Sequence, residues 1–324
     1  MKRLLKRRES ILLISLVALG LLVSIRARGF LGFENLDSIL NDTCALIMGS
    51  LGQFMVILVG GIDLSVESVM AFTGMAAALA NQAMPGIPAW LYLPAGAAMG
   101  AILGAGSGAL VAFGKLPPII ATLGTMSIYR GIVFVMSNGA WVTTHEMSPG
   151  FLSIPSTPIL GVSSMIWIAV LAVAAAAVLM RRTSSGREVY AYGGNKTAAL
   201  FAGVSERKVS MLIFVASGIL SGIVGVLWVS RYGMAHSETA SGFNMQTVAA
   251  CVLGGVSMSG GSGTVTGVVL GALFFGVINN ALTVVNFSPF YQMAIQGFVI
   301  LFAIVSNTLI DRRNQMKLAA RRLI

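Results

Sequence analysis

The amino-acid sequence predicts an all-α polytopic membrane protein, with about ten transmembrane helices, some of them broken, and one short helix at the membrane surface. Three observations predict it. Hydrophobic residues make up 56% of the 324 residues and charged residues only 10%, with a mean hydropathy of +0.87, so too little polar surface exists for a water-soluble fold. Apolar runs long enough to cross a bilayer recur along the whole chain. The basic residues gather at the ends of those runs, so the net charge of +10 reads as membrane orientation and not as a nucleic-acid-binding surface.

A helix needs about 20 apolar residues to cross the hydrocarbon core. On that measure spans are expected near 11–25, 39–60, 64–82, 89–113, 118–137, 162–180, 209–230, 243–258, 263–284 and 289–310, in a single transmembrane domain over 1–324. The first follows a basic start, MKRLLKRRES, and mimics a signal peptide. The residues after it are RARGF and not a small-residue cleavage site, so it is read as an uncleaved span. In the eighth, only MQTVAACVL is cleanly apolar, which also fits a half-helix that enters and leaves on one side.

Charge sets the expected orientation. Lys2, Arg3, Lys6, Arg7 and Arg8 precede the first span, and Arg312, Arg313, Lys317, Arg321 and Arg322 follow the last. Both termini are therefore expected in the cytoplasm, which requires an even number of crossings. The segment between the sixth and seventh spans then faces the cytoplasm too and carries Arg181, Arg182, Arg187, Lys196, Arg207 and Lys208. The segment 138–161 carries no Lys or Arg and falls outside. The two cysteines, Cys44 and Cys251, lie in apolar runs, so no disulfide framework is expected.

Small residues recur at helical spacing. Gly96, Gly100, Gly104 and Gly108 fall four apart, as do Gly263, Gly267 and Gly271, and each series suits close helix packing within the chain or a seam between chains. Two stretches echo each other: GGIDLS at 60–65 and GGVSMS at 254–259. Paired glycines at membrane depth allow a helix to break, and broken helices often line a path.

Few side chains inside the spans carry chemistry. Asp63 and Glu67 are four apart and share a face if their helix is continuous, and Arg130 falls near the middle of the fifth span. A central charge costs about 2.5–3.5 kcal/mol to insert, so these groups either line a path or pair with one another. Amide side chains are commoner: Gln53, Asn138, Asn279, Asn280, Gln292 and Gln296. They suit a hydroxyl-rich, uncharged solute, and they also serve as hydrogen-bonded links between helices. His145 and His236 have no metal-ligand partner at a useful spacing, so no metal site is expected. The nearest phosphate-loop match, GALVAFGKL from Gly108, has one residue too many and Leu in place of Ser or Thr, so this chain is not expected to hydrolyse ATP.

The stretch YAYGGNKTAALFAGVSERK at 190–208 is too polar to cross a bilayer. Asn195 suits an N-cap, KTAALFA favours helix, and Gly203 is placed to stop it. A helix of about two turns at the cytoplasmic surface is expected, with Leu200, Phe201 and Val204 filling a groove on a partner. A membrane subunit pushed by a separate motor needs such an element.

Together GGIDLSVESV, ATLGTMSIYRG, YAYGGNKTAALFAGV, AACVLGGVSMSGGSGT and NFSPFYQM resemble the permease subunits of ribose- and arabinose-type sugar ABC importers, in order and spacing along nearly the whole chain. The resemblance implies inward transport of a monosaccharide or polyol-like solute across a bacterial inner membrane. It implies a second permease subunit (identical or paralogous), two cytoplasmic ATPase subunits that bind ATP and magnesium, and a periplasmic or extracellular solute-binding protein. It also implies that the surface element, with Gly193, Gly194, Asn195, Ala198, Ala199, Leu200, Phe201 and Gly203, is the coupling helix seated on the ATPase. No cofactor is implied for the chain itself. Glu67 departs from the family pattern, which has a small residue there. Two other readings are set beside this one: a proton-coupled secondary transporter using Asp63 or Glu67, and a membrane-embedded lipid-modifying enzyme, which the shortage of acid/base and nucleophilic groups disfavours.

Overall fold

The computed structural model describes residues 8–27, 29–288, 290–302 and 304–305. The basic clusters at the two chain ends, except the backbone of Arg8, and the last residues of the expected 289–310 span lie outside the described residues. Thirteen helices are described. They are α1 (Arg8–Arg26), α2 (Phe33–Leu58), α3 (Val66–Ala83), α4 (Tyr92–Ala112), α5 (Pro118–Ser137), α6 (Pro149–Leu152), α7 (Ser164–Arg182), α8 (Ser184–Gly194), α9 (Lys196–Phe201), α10 (Glu206–Tyr232), α11 (Phe243–Leu253), α12 (Val265–Val284) and α13 (Phe290–Phe302). Among the described residues, six are long and apolar enough to cross a membrane: α2, α4 with the short turn before it, α5, α7, α10 and α12.

The helices run between two ends of one bundle. At one end α2 finishes beside the turn at Gly260 and Gly261, and the start of α12 meets both α1 (Thr264 to Glu9) and α7 (Arg181 to Thr266). At the other end two short antiparallel ladders gather the loops, Val142–Thr143 with Met234–Ala235 and Pro158–Ile159 with Val162–Ser163. The segments α8 and α9 lie at the first end and the 138–161 segment at the second.

The centre of the bundle is α2, buried from Thr43 to Leu58, and α10, which packs on α2, α3 and α4. In lipid, apolar burial drives little helix association, so van der Waals contact and small residues must supply it. The glycine series does this within the chain. A Cβ on Gly100 would lie 2.0 Å from the Gly218 carbonyl oxygen, and one on Gly222 would lie 2.1 Å from that of Gly96, so α4 and α10 touch backbone to backbone. Gly271 meets α11 at Ala250 in the same way, whereas Gly263 lies before α12 and outside the helix.

Two helices depart from simple spans. The helix α11 stops at Leu253, so its 11 residues rise about 16 Å, roughly half of the hydrocarbon thickness. An irregular stretch, 254–264, completes the passage to the first end. The chain likewise unwinds after Leu58, and α3 begins only at Val66. Asp63 therefore precedes the helix that holds Glu67, and the shared face expected from their spacing does not form. Glycines at positive φ shape both breaks: Gly60 in the first, and Gly255, Gly260 and Gly261 in the second.

Candidate functional site

The two breaks lie side by side. The Gly261 N–H donates to the Leu58 carbonyl at 2.8 Å, and a Cβ on Gly260 would fall 3.1 Å from the Gly60 nitrogen. Unwound backbone survives at membrane depth only if its polar groups find partners inside the protein. For the Ile62 carbonyl and for the backbone groups of Asp63 and Leu64 those partners are side chains. The Thr122 hydroxyl donates to the Ile62 carbonyl and accepts from the Leu64 N–H, and the Asn244 amide donates to the Leu64 carbonyl. Gln53, wholly buried in α2, receives the Asp63 N–H at 3.1 Å and donates to the Asp63 carbonyl at 2.9 Å. The Asp63 carboxylate accepts from the Ser65 N–H and hydroxyl (2.9 and 2.6 Å) and from the Ser217 hydroxyl at 2.8 Å. Gln53 and Asp63 thus hold the break open as part of its frame.

Glu67, in the first turn of α3, forms an ion pair with Arg130 of α5 at 2.9 Å. Its other oxygen accepts from the Gly242 N–H at 2.7 Å, at the N-cap of α11. The Arg130 guanidinium also donates to the Ser237 and Thr239 carbonyls, at 2.6 and 3.0 Å. One carboxylate and one guanidinium therefore tie both broken helices to α5.

A cavity of about 290 Å³ opens toward the end away from α8 and α9, between α2, α10, α11 and α12. Among the expected path residues it receives Asn279 and Asn280. Its walls add residues that spacing did not single out, chiefly Asp42, Thr43, Trp228, Tyr232 and Gln246. The amide oxygen of Asn279 accepts from Gln296, and that of Asn280 from Asn35. Asp42 is held by Arg231, through Nε at 3.0 Å and Nη2 at 2.5 Å. Trp228 lies 4.8 Å from the Tyr232 ring and 5.5 Å from that of Phe243, centroid to centroid, and makes an aromatic wall. Four helices contribute, so no local motif announces this cavity. Asn138 lies elsewhere, exposed in left-handed geometry at the C-terminus of α5, and Gln292 caps the turn after α12 by donating to the Phe287 carbonyl.

The surface element is longer than the expected two turns. The helix α8 starts at Ser184, N-capped by the Thr183 hydroxyl, and Asn195 ends it and N-caps α9 through Oδ1 and the Ala198 N–H at 3.0 Å. Glycines at 186, 193 and 194 give α8 a poor intrinsic helix preference, and tertiary packing overrides it. Gly203 has φ +87°, the left-handed stop expected there. Ala199 is buried and Val204 is part-exposed, while Ala198 and Leu200 are exposed and Phe201 is 90% exposed. Gly193 is pressed against the end of α2, where a Cβ would fall 1.8 Å from the Leu58 carbonyl oxygen, whereas a Cβ on Gly194 would meet nothing. The Tyr190 hydroxyl donates to the Gly263 carbonyl at 2.9 Å, so α8 holds both breaks. The Tyr192 hydroxyl donates to Glu206 at 2.5 Å, and burial, reinforced by that carboxylate, pushes its pKa up and keeps it a donor.

The His236 ring accepts from the Glu238 N–H, and among the described residues no group of three or more His, Cys, Asp or Glu is placed to hold a metal.

Comparison with known proteins agrees with this architecture. The chain is 37% identical over 306 residues to the ribose import permease protein RbsC of Haemophilus influenzae, covering 94% of this chain and 93% of that one. It is 36% identical over 307 residues to the autoinducer 2 import system permease protein LsrC of an Enterobacter species (94% and 88%). Identity to the L-arabinose ABC transporter permease protein AraH of Azospirillum brasilense is 32% over 310 residues (96% and 89%). No solved structure matches the chain. Residues 35–304 match the family described as branched-chain amino acid transport system / permease component, and the chain belongs to that family of membrane transport permeases.

Proposed function

We propose that this chain is the transmembrane permease of a bacterial inner-membrane ABC importer, moving a monosaccharide or similar small polar solute inward. The observation that carries the reading is the α8–α9 element. It offers an exposed Phe201 and Leu200 on one side and rests through Gly193 on the joint of two helix breaks on the other. That is the mechanical form a motor-driven permease requires. The motor is a pair of cytoplasmic ATPase domains that bind ATP and magnesium. A second permease subunit and an external solute-binding protein complete the assembly, a reading that membership of a transport-system permease family supports. Both chain termini and α8–α9 face the cytoplasm, and 138–161 faces outside.

A proton-coupled carrier needs a carboxylate free to exchange protons. Asp63 is enclosed by three hydrogen bonds and Glu67 is paired with Arg130, which favours the ATP-driven reading. The test is uptake by proteoliposomes holding the permease with its ATPase and binding protein. Uptake of D-ribose or L-arabinose should require enclosed ATP and survive collapse of the proton gradient. Uptake that needs only the gradient would overturn the proposal.

A further inference from the structure

We infer that the cavity between α2, α10, α11 and α12 is a binding station for one uncharged, polyhydroxylated solute molecule on its way through the bundle. This rests on the permease reading above and assigns the solute a place and a chemistry. At about 290 Å³ the cavity sits at the small end of ligand sites, which run from roughly 300 to 1,000 Å³.

Uncharged amides supply the uncommitted hydrogen-bonding groups on its walls. Asn279 and Asn280 spend their amide oxygens on Gln296 and Asn35, which leaves both NH₂ groups as donors without a partner among the described residues. The Gln246 side chain, part-exposed on the same wall, makes no hydrogen bond among them either. Thr43 lines the same wall with its hydroxyl turned toward Gly276, where a Cβ would stand 2.0 Å from the Thr43 oxygen, so the amides carry the polar contacts.

Charge is the second discriminator. Asp42 is the single ionisable carboxylate on the cavity wall, and both its oxygens are engaged, one by Arg231 and the other by the Ser38 hydroxyl at 3.4 Å. No lining residue offers a cation for a carboxylate, so a zwitterionic amino acid would bury its charges unpaired. A sugar loses nothing by this. Its hydroxyls meet the amides of Asn279, Asn280 and Gln246, and its C–H face meets the wall of Trp228, Tyr232 and Phe243.

The test is thiol protection in the reconstituted transporter, read without ATP so that it does not depend on the driving reaction. Asn279→Cys and, separately, Gln246→Cys are placed in a chain with Cys44 and Cys251 replaced by Ser. The labelling rate by a small water-soluble thiol reagent is then measured with D-ribose, L-arabinose, L-leucine or D-gluconate. At a concentration about twice the dissociation constant, a bound sugar should slow labelling about threefold, while leucine and gluconate leave it unchanged. Ser184→Cys serves as a remote control and should label at one rate throughout. Protection by leucine or gluconate would overturn the assigned chemistry. Unchanged rates at both positions with either sugar, in a transporter that imports it with ATP, would overturn the site and leave the permease reading standing. Sugar protection without any ATP-driven import would do the reverse.

Discussion

Glu67 joins three parts of the chain that are distant in sequence: α3 that carries it, Arg130 of α5, and the Gly242 N–H that opens α11. The two partners are not equivalent. Arg130→Ala leaves a nearly buried carboxylate with one N–H donor, whereas Glu67→Ala leaves Arg130 its two carbonyl acceptors. We therefore expect Arg130→Ala to cost about 2–4 kcal/mol of stability and Glu67→Ala less. The double variant should fall short of the sum by about 1–3 kcal/mol, measured by thermal unfolding in detergent. Strict additivity would mean that the pair contributes nothing. Arg130 needed a counter-charge on insertion cost alone, and that much was legible in the sequence. Which acid supplied it was not, because the choice depends on α3 starting at Val66 and not at Leu64.

At the scale of elements, α8–α9 is predicted to separate an outward contact at Phe201 from an inward one at Gly193. In the proposed assembly the exposed Phe201 meets the ATPase, so Phe201→Asp should abolish co-purification of the ATPase while membrane insertion persists. Gly193 makes the inward contact, and its substitution should act differently. In Gly193→Ala the added Cβ collides with the Leu58 carbonyl, so α8 must lift from the joint. ATPase binding should survive, with transport reduced at least several-fold while ATP hydrolysis continues. Gly194→Ala, whose Cβ meets nothing, should behave as wild type. Equal transport by the two alanine variants would refute the joint. The cap at Asn195 and the stop at Gly203 were readable because capping is local chemistry. The helix α8 was not, because contacts with the end of α2 and with the second break hold it in place against its own glycines.

For the whole molecule, the all-α polytopic class followed from hydropathy because length and apolarity are properties of single segments. The cavity did not, since Thr43, Trp228, Gln246 and Asn279 are brought together by four helices packing, which no spacing records. Orientation is open to direct measurement. In a background without Cys44 and Cys251, a cysteine at exposed His145 should react with an impermeant thiol reagent on cells with a permeabilised outer layer, and one at exposed Ser184 only after lysis. The opposite pattern would invert the bundle.

The seam where α4 meets α10 also limits how this gene can vary. Gly96, Gly100, Gly218 and Gly222 each face a carbonyl oxygen at 2.0–2.8 Å from any added Cβ. Every missense change of a glycine codon adds at least that one carbon, so even alanine collides with the facing backbone. A saturation scan scored by growth on the transported solute should show these four codons as intolerant even to alanine. Gly86, which has open space around it, should accept it freely.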